Sequence, residues 1–122
     1  MLVQPLEARW QEVLDSVLRS MRGSGLTTRD VARLAPKVEE LSRAYNTAQA
    51  EGRRTKLPLE ARIAFSFPRD VPKGAGAVRE LVASGVLTIP PDRPLRVLDL
   101  GAGLGAMTWG LVRALAAAGA SG

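Results

Sequence analysis

The 122-residue chain contains no cysteine and no histidine. Without Cys there is no disulfide framework and no thiolate metal site. Without His the commonest metal ligand and the usual near-neutral acid–base group are missing. Ser–His and Cys–His nucleophilic pairs are excluded. So is zinc of the usual kind, because carboxylates alone make poor zinc cages. Aromatic residues are sparse: two Trp, one Tyr and two Phe. A long hydrophobic run is lacking too. The longest uncharged stretch, Leu100–Val112, is rich in glycine, and Arg113 separates it from Ala114–Ala120. Neither piece is long enough to span a bilayer. The N-terminus, MLVQPLEARW, carries Glu7 early and has no basic-then-apolar layout, so it does not read as a secretory signal. These absences predict a cytoplasmic chain with no membrane anchor and no metal in this segment.

What is present is ordinary globular material, 46% hydrophobic and 24% charged. There are 17 Lys+Arg against 12 Asp+Glu, a formal charge of +5, and 14 of the cations are Arg. Arg suits planar phosphate contacts. Net charge alone is a weak pointer to a polyanion partner.

Helical periodicity opens the chain. Leu6, Trp10, Val13, Leu14, Val17, Leu18 and Met21 share one helical face over 3–22. Pro5 fits the first turn, and Gly23-Ser24-Gly25 ends the helix. Trp10 and Tyr45 read as core residues. A second helix is predicted over 28–50, capped by Thr27 or Thr28, with a kink or a split into two short helices at Pro36. Leu59, Ile63 and Phe67 fit a short helix after Pro58, although alternate positions from Leu57 to Phe67 also fit a strand. Pro68, Pro72, Gly74 and Gly76 read as a turn-rich patch, followed by a short helix over 75–84. Arg53, Arg54, Lys56, Arg62, Arg69 and Lys73 make 53–73 the most basic part of the chain. These six are candidates for phosphate contact, set against a solvated surface balanced by Glu51, Glu60 and Asp70.

Chemistry concentrates after a proline-rich linker. Leu95–Leu100 (LRVLDL) reads as a buried parallel strand, Gly101, Gly103 and Gly105 as a tight turn, and 104–117 as a helix. Leu104, Met107, Leu111, Val112 and Leu115 would face a sheet, with Arg113 pointing away. Strand, glycine turn and helix together bring a ligand close to backbone amides. Gly101, Gly103 and Ala106 formally satisfy a dinucleotide pattern, which leaves an NAD(P)-binding oxidoreductase as one alternative. Asp99 argues against it, since a carboxylate two residues before the first glycine repels a pyrophosphate. It would welcome a ligand with a cationic amino-acid end.

The run Asp99-Leu100-Gly101-Ala102-Gly103-Leu104-Gly105 resembles motif I of class I S-adenosylmethionine-dependent methyltransferases. The resemblance implies that Asp99, Gly101, Ala102, Gly103 and Gly105 line the cofactor, with Asp99 near its ammonium. With Ala61–Asp70 and Ala77–Leu81 ahead of it, the layout resembles the methyltransferase-like family associated with the small ribosomal subunit, including its mitochondrial form. Ribosomal RNA or the small subunit is the partner so implied, and a non-catalytic assembly factor of the same fold is a further alternative. The expected fold is α/β. A helical N-terminal region covers 1–87, a proline-rich linker 88–94, and the first βα unit of a Rossmann-like methyltransferase domain 95–122. The resemblance also calls for an acidic residue ~20 residues past the motif to hold the ribose. None follows Asp99, so the domain reads as incomplete and the chain as a fragment.

Overall fold

The computed structural model describes residues 4–52 and 57–119, and only the backbone of 48–50. Its elements are α1 (Ala8–Ser20), α2 (Val31–Glu51), α3 (Leu59–Ala61), a π-helical turn (Arg62–Ser66), α4 (Phe67–Ala83) and α5 (Ala106–Ala117). Among the described residues there is no strand. The expected α/β architecture is therefore overturned, and with it the Rossmann-like βα unit. Leu95–Leu100 carries strand-forming side chains, but a strand exists only when a neighbour takes up its N–H and C=O groups. Here the segment runs without regular structure, and Val97, Leu98 and Leu100 are largely exposed.

Contacts divide the described residues into two compact units, one of Glu7–Pro68 and one of residues 4–6 with 69–119. In the first, α1 buries Leu14 and Leu18, four residues apart on one face. Val13 and Val17, predicted for that face, stay about half exposed. The helix starts after Pro5, where Trp10 N–H donates to Glu7 O at 2.9 Å. Leu26, Leu34 and Leu41 complete the leucine core with Ala61, Ile63, Ala64 and Phe67. Each fully buried Leu contributes about 1.5–3 kcal/mol of transfer free energy. Trp10 lies against Phe67, ring centroids 5.9 Å apart and tilted by 47°. Tyr45, expected in the core, is 50% exposed.

The start of α2 differs from the predicted cap. Asp30 occupies the cap position and makes no side-chain bond into the helix. Its Oδ2 turns back and accepts Thr27 N–H at 2.7 Å and Thr27 Oγ1–H at 3.2 Å. Asp15 of α1 accepts Thr28 N–H at 2.7 Å and fixes the loop to the first helix. Pro36 does not divide α2 into two helices. Its ring is on the exposed side, so only one ladder bond is lost and no packing. Lys37 Nζ meets Glu60 Oε2 at 2.7 Å and ties α2 to α3.

The predicted turn patch at Pro68–Gly76 is helix instead: α4 runs unbroken from Phe67 to Ala83. A wide turn directly before Pro68 relieves the crowding that a proline ring causes in an α ladder. Phe67 N–H donates to Arg62 O across that turn. Burial supplies the rest, since Val71, Pro72, Gly74, Ala75 and Gly76 are all buried. Gly85, at φ 77°, terminates the helix. Helix α5 then lies directly on α4. A Cβ added to Gly110 would stand 2.6 Å from Val71 O and 2.7 Å from Ala75 N. One added to Gly74 would stand 3.1 Å from Met107 Sδ and 3.3 Å from Met107 Cα.

Gly110→Ala is expected to lower stability by about 1–3 kcal/mol, because backbone rather than a flexible side chain blocks the methyl. Gly74→Ala costs less, since the Met107 sulfur can move aside. Urea denaturation of both variants checks the order. The acid limb is predictable as well. The Thr28 amide beside Asp15 holds its carboxyl below the usual carboxylate range. The hydrogen bond from Lys37 does the same for Glu60, and that from Arg69 for Asp70. All three pKa values are lower folded than unfolded, so their stabilisation is complete above the usual range and lost as pH falls through the folded values. With no His to titrate, the melting temperature should be flat from about pH 5 to 8 and drop below about pH 4. Asp15→Asn should flatten part of that drop in thermal melts.

Candidate functional site

The predicted cofactor residues lie on the loop that leads into α5. Gly101, Gly103 and Gly105 have φ of 70°, 57° and 80°, and no non-glycine residue has positive φ among the described residues. Each glycine is thus needed for backbone conformation, because an L side chain in this region is strained. Gly105 is the cap residue of α5. Its N–H donates to Ala102 O at 2.8 Å, closing the turn, and its carbonyl accepts Trp109 N–H at 2.9 Å, opening the helix. Trp109 also stands beside it: a Cβ on Gly105 would lie 3.8 Å from the indole Cδ1. At Gly101 an added Cβ meets nothing within 4 Å, so the backbone there is open to approach. Gly101, Ala102 and Gly103 are exposed.

Asp99 is half-buried, and its Oδ2 accepts Thr108 Oγ1–H at 2.6 Å. That length is typical of a hydroxyl bonded to an ionised carboxylate. The bond draws Asp99 to the first turn of α5, where the helix dipole favours negative charge. Thr108 was not among the predicted site residues. Its only sequence signal is a hydroxyl in the first turn of the helix after the glycines. Arg113 also departs from expectation. Instead of pointing away, it donates through Nη2 to Pro5 O at 2.6 Å and through Nη1 to Gln4 O at 3.5 Å. The expected sheet-facing stripe has no sheet to face: Met107 and Val112 are about half exposed, while Gly110 and Ala114 are buried.

Of the six basic candidates, Arg53, Arg54 and Lys56 lie outside the described residues. Arg62 is half-buried in the π-helical turn. Arg69 grips Asp70 with both prongs, Nε to Oδ1 at 2.7 Å and Nη2 to Oδ2 at 2.9 Å, and Lys73 Nζ stands 3.5 Å from the same Oδ1. Asp70 therefore offsets part of the positive charge that would face a phosphate. Among the described residues no group of acidic side chains is placed to hold a metal, and no helix is long and apolar enough to cross a membrane.

Gly101→Ala isolates the backbone term, since space is open there. It should cost about 1–2 kcal/mol from the left-handed φ alone, read by thermal melting. A scan against family models and searches of curated proteins and solved structures give no match to this chain.

Proposed function

We propose that the Asp99–Gly105 loop binds S-adenosylmethionine and that the protein serves methyl transfer in the cytoplasm, associated with ribosomal RNA of the small subunit. One observation carries the reading. Asp99 is held by Thr108 at the mouth of a turn whose three glycines are left-handed. Such a turn exposes backbone without Cβ atoms, and the carboxylate beside it suits a cationic amino-acid end and opposes a pyrophosphate. The residues therefore fit S-adenosylmethionine better than a nicotinamide dinucleotide. The cofactor, when bound, supplies the transferable methyl on its sulfonium. In this reading Asp99 takes the ammonium, and the exposed backbone of Gly101 and Gly103 borders the ribose side. Methyl transfer depends chiefly on positioning the acceptor against that methyl. The absence of His and Cys is no obstacle to it. Of the six basic candidates for RNA phosphate, Arg62, Arg69 and Lys73 are the described ones.

Calorimetry tests the reading. Wild-type protein should bind S-adenosylmethionine and not NAD, and Asp99→Ala should weaken the former at least about tenfold, the scale of one lost ion pair inside a site. Absence of S-adenosylmethionine binding, or binding untouched by Asp99→Ala, overturns the proposal. Salt-dependent RNA affinity without any cofactor binding would identify a non-catalytic RNA-binding protein instead.

A further inference from the structure

We infer that Thr108 is the positioning residue of this site: its hydroxyl sets the direction in which Asp99 presents its carboxylate to the cofactor's ammonium. The inference rests on the S-adenosylmethionine reading and adds a residue to it. Asp99 sits in a segment without regular structure, so no strand ladder orients it. Leu98 and Leu100, on either side, are more than four-fifths exposed. Those two flanking side chains therefore do not anchor the segment that carries it. The 2.6 Å bond from Thr108 is the contact that joins Asp99 to a rigid element. Thr108 is itself well fixed. It lies in the first turn of α5, between Met107, which meets Gly74 of α4, and Gly110, which seats the helix on Val71 and Ala75. A β-branched side chain in a helix has few χ1 choices, and the hydroxyl of Thr can otherwise bond back to a carbonyl of its own helix. Here it is spent on Asp99.

A hydroxyl in this place makes a specific prediction about ligands. It matters only for ligand groups that Asp99 touches. S-adenosylmethionine carries the ammonium, whereas 5′-methylthioadenosine keeps the nucleoside and a sulfur, as a neutral thioether, with no amino-acid end. Calorimetry on wild type, Thr108→Val, Thr108→Ser and Asp99→Ala with both compounds separates the roles. Thr108→Val should lose about tenfold for S-adenosylmethionine, the scale of one charge-assisted hydrogen bond. It should leave methylthioadenosine binding unchanged, and Thr108→Ser should restore wild-type behaviour. Far-UV circular dichroism confirms that each variant keeps its helices. If Thr108→Val binds S-adenosylmethionine as wild type does, or loses both compounds equally, the positioning role is overturned while the cofactor reading stands. If wild type binds no S-adenosylmethionine, both fall.

Discussion

Gly110 has no side chain, and the placement of α5 depends on that. Its α-carbon comes so close to α4 that a single methyl would stand 2.6 Å from the carbonyl of Val71. Gly74 and Ala75 answer from the other side, so backbone meets backbone at Gly110 while Met107 lies against Gly74. Contacts of this kind are short and numerous rather than deeply apolar, so dispersion and fit carry them. Two other segments of this unit are tied to α5. Arg113 reaches back from it to Gln4 and Pro5, 109 and 108 positions earlier in the chain, and Thr108 reaches back to Asp99.

The two units solve the same problem with different residues. Glu7–Pro68 buries large side chains, Leu14, Leu18, Leu26, Leu34, Leu41 and Phe67, and pins its loops with carboxylates. Asp15 on the Thr28 amide and Asp30 on Thr27 are two of the pins between α1 and α2, and Arg33 adds a third by donating to Gly25 O at 2.9 Å. The other unit buries Val71, Ala75 and Ala114 and leaves much larger apolar side chains, Leu98, Leu100 and Trp109, at the surface. Its stability rests on close approach. It is correspondingly intolerant of added volume on the face where α4 and α5 meet.

Helices with a clear period were legible in the sequence, and their failures have local causes. Leu14, Leu18, Leu34 and Leu41 announced α1 and α2. Asp30 was invisible as the cap residue because its carboxylate serves the preceding turn. The stretch from Pro68 to Gly76 looked like turn material residue by residue. Its helix is favoured by burial against α5, and nothing within residues 71–78 signals that partner. LRVLDL read as a strand on composition, yet strand formation is a property of pairs of segments and no pair exists among the described residues. The loop glycines were legible because their conformational demand is local. The Thr108–Asp99 bond was not, since nine residues and a change of structure separate its ends.

The three loop glycines also have a stereochemical consequence. With φ of 70°, 57° and 80°, Gly101, Gly103 and Gly105 occupy the region that right-handed amino acids prefer. At alternate positions the loop is, in configurational terms, a D-peptide written with achiral residues. Mirror-image alanine at these places would match the native backbone and remove the freedom that glycine retains when the chain unfolds. What reserves the three sites is the handedness of the backbone, and at Gly101, where an added methyl meets nothing within 4 Å, it is handedness alone.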